Sequence, residues 1–313
     1  MKLIFGAMNF GPQVNEELAQ NMLIKFLSNG GNEIDSAFVY NDGQTEEILG
    51  SILPNLNSFQ KSIATKIHPR ITGKLDGDTV YTQFNESLKR MKIDKLDILY
   101  FHFPSSNEDI ENALTAINKL YLDGKIKEFG LSNFPAWLVV NIWHLCDKNN
   151  WIKPTVYQGR YNALSRNVES ELFPAIRKLG MRFYAYNPLA GGMLTGKYID
   201  INETPQEGRF ARLKTYRKRY WNQSYFDAVN IVTTKCREFN IEPAEAAFRW
   251  LTNHSLLGKN KEDGILIGAS SIFQLEQNIK SANKEPLPKQ IIDALDVAWS
   301  EAKSESPEYF QFF

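Results

Sequence analysis

The stretch EIDSAFVYNDGQTEEILG (residues 33–50) starts as the end of a short strand, Glu33-Ile34, and finishes in the first turns of a helix, from Gln44 on. Between the two stand an acid, Asp35, a phenol, Tyr40, and a run of polar turn formers. A strand that runs through such a turn into a helix is one unit of an α/β fold. The fold then depends on how often that unit recurs.

It recurs along the whole chain. Short apolar runs that read as strands cover 3–8, 32–35, 62–66, 96–102, 126–132, 155–158, 182–186 and 264–268. Helical patterns fill the spaces between them. Asn15 suits an N-cap for a segment whose Leu18, Met22 and Phe26 repeat every four residues, and Gly30-Gly31 suit its end. Further helices read over 45–53, from Asp78 with Val80, Phe84 and Leu88 in step, over 109–122 before Gly124, and over 137–147 and 168–178. Others cover 224–238 and 243–252 and start at Ile272 and Pro288. Residues 187 to about 222 read as a long irregular loop, and a tail begins near 305. Roughly eight strand–helix units is the number that closes a barrel, and helical crossovers make its strands parallel. An open doubly wound sheet would want a glycine-rich fingerprint after its first strand. Phe10-Gly11-Pro12-Gln13 is not one. The expectation is a single-domain (β/α)8 TIM barrel over residues 1–313.

Composition narrows the function. The 313 residues carry 36 basic and 36 acidic side chains, a balance that argues against a dedicated nucleic-acid binder. A hydrophobic share of 43% supports a full core, and no apolar run is long enough to cross a bilayer. The N-terminal MKLIFG is too short an apolar stretch for a signal peptide, so a cytoplasmic chain is expected. Cys146 and Cys236 show no metal spacing and read as free buried thiols. None of the four histidines forms an H-x-H or H-x-x-x-H pair, so no metal is expected.

Barrel enzymes take their reacting groups from the C-terminal ends of several strands. Here those ends carry Asp35 with Tyr40 behind it, Lys66, His102, Ser132-Asn133, Gln158 and Tyr186-Asn187. Each has a plain structural explanation when taken alone. Asp35 suits a cap or turn, Tyr40 half-buried packing, Lys66 the surface, and His102 the core between Phe101 and Phe103. Together they suit one chemistry. A phenol with pKa about 10 is a weak acid near neutrality, and a neighbouring ammonium lowers that value. A buried ammonium needs a carboxylate partner, and an imidazole beside the phenol would orient a carbonyl oxygen. The set makes a general acid for a developing alkoxide.

Asp35, Tyr40, Lys66 and His102 resemble the catalytic tetrad of the aldo-keto reductases. DSAFVYNDGQTEEILG, GLSNF, PTVYQGRYNA, RFYAYNPLAGGMLTGKY and SSIFQLEQN are similar to the aflatoxin-aldehyde and succinic-semialdehyde reductase branch, in that order along the chain. The resemblance implies NADPH-dependent reduction of small aldehydes, with Tyr40 as proton donor, Lys66 and Asp35 lowering its pKa, and His102 placing the carbonyl. It implies that Tyr186 stacks on the nicotinamide while Ser132, Asn133 and Gln158 hold its carboxamide. Residues 187–197, with Asn187, Leu189, Gly191, Gly192 and Lys197, resemble the strap over the pyrophosphate. Their glycines let backbone approach a ligand. Ser270, Gln274, Gln277 and Asn278, with Arg209, resemble the adenosine-phosphate contacts, although many family members have an arginine where Gln274 stands. In EGRFARLKTYRKRY (207–220), Arg212, Lys214, Arg217 and Lys218 read as a solvated face. Arg219 resembles the arginine that meets a substrate carboxylate, with Tyr198 in the same pocket. Relatives of this branch are often homodimers. Two other readings stay open: a cofactor-binding regulatory subunit like the potassium-channel β-subunits, and a barrel lyase with Lys66 as a Schiff base.

Overall fold

A computed structural model describes every residue except Asn107, Glu108, Thr204 and Glu207; the first residue of the basic stretch 207–220 therefore lies outside the described residues. Strands β1 (Lys2–Gly6), β2 (Glu33–Asp35), β3 (Ser62–Ile67), β4 (Leu96–Phe101), β5 (Ile126–Ser132), β6 (Pro154–Arg160), β7 (Arg182–Tyr186) and β8 (Gly264–Ile267) form a closed barrel in chain order. All neighbours are parallel, and β8 returns to β1 with Lys2 opposite Gly264. This is the expected (β/α)8 barrel. Alternation along the strands sends Ile4, Ala64, Ile98, Tyr100, Val156, Tyr184 and Leu266 into the interior. Their neighbours Phe5, Leu99, Tyr157, Phe183 and Ile265 face the helices and join the main core.

The helices form where the sequence gives them a cap and an apolar face. In α1 (Glu16–Ser28) the Asn15 side chain accepts from Leu18 N at 2.9 Å, and Ala19, Met22, Leu23, Phe26 and Leu27 are buried. Between α2 (Gln44–Ile52) and α3 (Gly77–Met91), Asp76 rather than Asp78 is the cap, accepting from Thr79 N at 2.9 Å. Then follow α4 (Ile110–Leu122), α5 (Ala136–Lys148) and α6 (Leu172–Lys178). The stretch 187–222 is more ordered than its sequence suggests. It holds a 3-10 segment (Ala190–Thr195) and two short helices, α7 (Arg209–Arg212) and α8 (Lys214–Tyr220). Burial of Phe210, Tyr216 and Tyr220 fixes them against the barrel, since neither has a side-chain cap. Helices α9 (Gln223–Glu238), α10 (Pro243–Asn253), α11 (Ile272–Ala282) and α12 (Lys289–Ala302) complete the ring. Among the described residues no helix is long and apolar enough to cross a membrane.

The two ends of the barrel differ. At the floor Lys2 donates to Glu33 at 2.5 Å and to the Tyr184 hydroxyl at 3.0 Å, while Arg182 joins Glu128 at 2.7 Å and Tyr184 at 3.0 Å. At the mouth the C-terminal tail lies across the strand ends. Tyr309 donates its hydroxyl to Glu171 at 2.7 Å, Phe313 N donates to the Pro104 carbonyl at 3.1 Å, and Ser106 N donates to Phe313 O at 2.7 Å. Both cysteines are free and buried, and burial pushes the Cys146 thiol up to about 12 and the Cys236 thiol up to about 11.

Helices α2 and α3 pack closely at Gly50, where a Cβ would stand 2.0 Å from the Arg90 carbonyl oxygen. A backbone atom cannot swing away, so Gly50→Ala should destabilise the fold by about 1–3 kcal/mol. Ser51→Ala beside it should stay within about 0.5 kcal/mol of the parent. Thermal melting of the two variants checks this; equal melting temperatures would contradict it.

Candidate active site

At the mouth, β3 delivers Lys66 fully buried. Its ammonium donates to Asp35 Oδ2 and to the Ser36 carbonyl, both at 2.6 Å. Asp35 ends β2, and its Oδ1 accepts from Gln158 Nε2 of β6 at 2.8 Å. Two adjacent strands, β2 and β3, and β6 from across the barrel thus share one charged knot. Tyr40 follows β2 in a tight turn where Asn41 and Asp42 take positive φ, held by Asn41 Nδ2 bonding the Met8 and Phe10 carbonyls at 2.8 and 2.9 Å. That turn sets the phenol ring over the knot, with Lys66 Nζ 5.2 Å from its centroid. His102, just past β4, meets the Tyr40 ring edge-on, with centroids 5.8 Å apart. The four residues picked from the strand ends therefore surround one place. Two of the three Lys66 donors are engaged, one by a carboxylate that favours the charged ammonium, and a Schiff base needs the neutral amine.

Electrostatics set the protonation states. Burial pushes the Tyr40 hydroxyl well above the ordinary phenol value, and the Asp35 carboxylate pushes the same way. The sequence led to the opposite expectation, a phenol made acidic by Lys66. The difference is geometric: the Lys66 charge is matched by two oxygens at 2.6 Å, whereas the phenol ring lies farther off. Tyr40 is a neutral phenol, the form that can donate. Burial lowers the Lys66 pKa, and Asp35 opposes that shift. Burial, with Lys66 and His68 nearby, holds His102 well below the usual imidazole value, so it is neutral. Its Nδ1 is enclosed and finds no partner among the described residues.

The other expected residues stand on the neighbouring strand ends and on the loops that follow β7 and β8. Tyr186 ends β7 and donates its hydroxyl to Asn133 Oδ1 at 2.7 Å. Asn133, in the left-handed region at φ 61°, donates to the His102 carbonyl and to Ser132 Oγ, both at 2.9 Å. Asn187 Oδ1 accepts from Gly191 N at 2.8 Å, and Leu189 O accepts from Gly192 N at 2.8 Å, which folds the 187–196 segment into tight turns. Gly191 has φ 74°, and a Cβ there would stand 2.9 Å from the Tyr216 ring. Gly192 has φ 112°, which a side chain would rarely adopt, and a Cβ there would stand 3.7 Å from the Tyr198 ring. Lys197 stands 4.7 Å over the Tyr198 ring. Beyond β8, Gln274 Oε1 accepts from Ser270 N and Oγ at 3.0 Å each, Asn278 Nδ2 donates to the Gly268 carbonyl at 3.2 Å, and Gln277 is exposed. Arg209 reaches this end through Asn9, whose Oδ1 it bonds at 3.4 Å and whose Nδ2 donates to the Ala269 carbonyl at 2.9 Å. Amide groups at the centre, a glycine turn in the left-handed region and small hydroxyls at a helix start are groups that fit a dinucleotide.

The two residues expected to meet the substrate behave differently from one another. Arg219 lies 5.6 Å from the Tyr216 ring centroid, with Arg209 5.1 Å from the same centroid, and neither arginine is ion-paired among the described residues. Tyr198 packs instead against Phe210 and Trp221, with centroids at 5.0 and 5.3 Å. Sequence reasoning missed three neighbours, and it placed a fourth, Phe313, only in the tail. His68 sits between His102 and Phe313 at 4.9 Å from each, and burial lowers its pKa to about 3. Phe313 also packs on Phe103. Asn9 follows β1, and Arg160 extends β6 two residues past its expected end. The Gly159 between Gln158 and Arg160 hides that extension.

The model of the aldo/keto reductase family matches residues 2–300. The chain is 41% identical over 319 residues to an aflatoxin B1 aldehyde reductase member 2 of Rattus norvegicus, covering 98% of this chain and 87% of that one. It is 41% identical over 318 residues to the human aflatoxin B1 aldehyde reductase member 4, with coverages of 98% and 96%. An aldo-keto reductase of Monascus ruber is 32% identical over 303 residues, with coverages of 92% and 89%. With its closed parallel barrel and the residues gathered at its mouth, the chain belongs to the aldo/keto reductase family of oxidoreductases, which work with a reduced nicotinamide cofactor.

Proposed function

We propose that the protein reduces short aldehydes bearing a carboxylate to the corresponding alcohols, with NADPH as the cofactor. The observation that carries this reading is the buried Lys66–Asp35–Gln158 chain lying against the Tyr40–His102 pair. The relatives named as aldehyde reductases support it.

Reduced nicotinamide supplies the hydride. Tyr186 offers it a stacking face, and Ser132, Asn133 and Gln158 are its carboxamide partners. Asn187, Leu189, Gly191, Gly192 and Lys197 cover the pyrophosphate. Arg209, Ser270, Gln274, Gln277 and Asn278 take the adenosine-phosphate end. Arg209 supplies the cation that favours NADPH over NADH there.

Neutral His102 hydrogen-bonds the carbonyl oxygen and sets its direction toward Tyr40. As charge builds on that oxygen, the Tyr40 hydroxyl passes it a proton. A phenolate then develops in a buried place where burial and Asp35 both resist it. Lys66 lowers that resistance, because its ammonium lies close to the ring while Asp35 and Ser36 keep it from moving. Asp35 therefore serves position more than acidity. Arg219, stacked on Tyr216 and free of acid partners among the described residues, takes the substrate carboxylate.

Three outcomes are expected. Tyr40→Phe should lower kcat for aldehyde reduction about 10²–10⁴-fold, the range of general acid catalysis, with NADPH affinity little changed. Steady-state kinetics and a fluorescence titration check it, and retained turnover would end the reading. Arg219→Ala should lower kcat/KM for succinic semialdehyde about 10–100-fold, from the loss of one charge-assisted contact, and leave butanal within about threefold. Equal losses on the two substrates would remove the carboxylate from the proposal. For pH, the raised Tyr40 pKa keeps the donor protonated through neutrality, so reduction should be flat there. The lowered Lys66 pKa means its charge is lost below the ordinary lysine value of about 10.4, so the alkaline fall should begin below that point. Lys66→Met should abolish that alkaline limb along with most of the rate; a limb unchanged in the residual activity would assign it elsewhere.

A further inference from the structure

Arg160 stands where three segments of the mouth meet. It closes β6 two residues beyond Gln158, on the same inward-facing alternation, and is opposite Tyr186 in the β6–β7 register. It is 5% exposed. Nη2 donates to the Glu308 carbonyl at 2.5 Å and so ties down the start of the C-terminal tail. The Tyr220 hydroxyl stands beside the same guanidinium. That hydroxyl accepts from Asn187 Nδ2 at 2.6 Å, and Asn187 Oδ1 accepts from the Gly191 amide at 2.8 Å. A continuous line of polar contacts thus runs from the tail, through Arg160 and Tyr220, to the glycine turn of the 187–196 segment.

The arrangement is costly for a mere fastener. A guanidinium stays charged, and burying it without a counter-charge costs several kcal/mol. Among the described residues no carboxylate is ion-paired with Arg160, and Nη1, fully enclosed, has no hydrogen-bond partner at all. A carbonyl and the phenols of Tyr186, Tyr220 and Tyr225 are what it has for company. What the planar fork does supply is fixed angles between its donors. A shift of Tyr220 on one side turns the plane and misaligns the bond to Glu308 on the other. The unmatched Nη1 leaves the plane free of a third anchor that would resist such a turn.

We propose that Arg160 is a positioning residue that couples the 187–196 strap to the C-terminal tail, so that closing over NADPH and seating the tail beside the aldehyde pocket are one event. The inference rests on the strap and pocket assignments of the proposed function. A competing route exists, because Gln311 N donates to the Asn133 carbonyl at 3.4 Å, and Asn133 belongs to the nicotinamide side of the proposed site.

Hydrogen exchange on the full chain separates the two routes, read on the tail peptide 305–313 with and without NADPH. Arg160→Met keeps the bulk and removes the fork. Tyr220→Phe breaks the strap side and leaves the Arg160–Glu308 bond in place. NADPH should slow tail exchange about fivefold or more in the parent, the lower range of allosteric coupling, and less than about twofold in both variants. A purely structural Arg160 would lower the melting temperature of Arg160→Met yet leave the NADPH-induced protection intact in Tyr220→Phe. Protection retained in both variants would assign the coupling to Asn133 and overturn the proposal, as would a parent tail indifferent to bound NADPH. Fluorescence titration of the same samples reports NADPH binding independently; a parent that binds none would remove the functional reading first, and this inference with it.

Discussion

Everything at the mouth of this barrel is arranged around one ammonium that has no contact with water. Lys66 is fully buried, and its charge is matched by a carboxylate oxygen and a carbonyl oxygen at 2.6 Å each. Such a pair is weak evidence for stability, since desolvating two charges offsets most of their attraction. Breaking it is a different matter, costing about 3–5 kcal/mol by leaving one charge alone. The pair therefore acts as a constraint. Asp35 must end β2, Lys66 must point inward from β3, and Gln158 must reach across from β6 to the second carboxylate oxygen. Once these three are fixed, the turn that follows β2 has little choice about where it puts Tyr40.

The same strand shows how a parallel barrel separates stability from chemistry. Glu33 and Asp35 are two residues apart on β2 and face the same interior. Glu33 lies at the floor, where Lys2 and Tyr184 engage one of its oxygens in a network that includes Arg182 and Glu128. Asp35 lies at the mouth, with each oxygen engaged by a group of the site. Between the two levels Tyr100 and Val156 fill the interior, so the barrel is a packed core. A cavity lies at the floor as well, beside Lys2, Glu128, Arg182 and Tyr184, so what sets the mouth apart is the set of reacting groups gathered there.

How much of this could be read from the letters depended on the kind of information required. The strand–helix rhythm and the residues at the strand ends are local, and Asp35, Tyr40, Lys66 and His102 were all visible that way. The end of β6 was not. Gln158-Gly159-Arg160 reads as a strand that stops, because glycine usually weakens one. In the barrel β6 continues to Arg160 because it is paired opposite Tyr186, and a Cβ on Gly159 would stand 2.8 Å from the rings of Phe183 and Tyr157. The glycine is there for packing. Helices α7 and α8 were hidden for another reason: four and seven residues are too few to show a period, and their order comes from buried Phe210, Tyr216 and Tyr220. The sign of the Tyr40 shift was hidden as well, since burial of a phenol is a property of what closes over it.

That closing layer is also what gives the mouth its charge. Tyr216 is buried, with Arg209 and Arg219 each within 6 Å of its ring centroid, and Arg160 lies below among Tyr186, Tyr220 and Tyr225. Aromatic rings can hold guanidinium groups by their faces and edges without neutralising them. Carboxylates in the same places would have fixed the arginines equally well and cancelled their field. Because rings hold Arg209 and Arg219 and a carbonyl holds Arg160, these cations stay unpaired with carboxylates, among the described residues, near a site whose own ion pair is already balanced. The field they leave there favours anions, which suits both a phosphate-bearing cofactor and an aldehyde with an acid at its far end. In the proposed reaction, selectivity for negative charge would then depend on the tyrosines as much as on the arginines beside them.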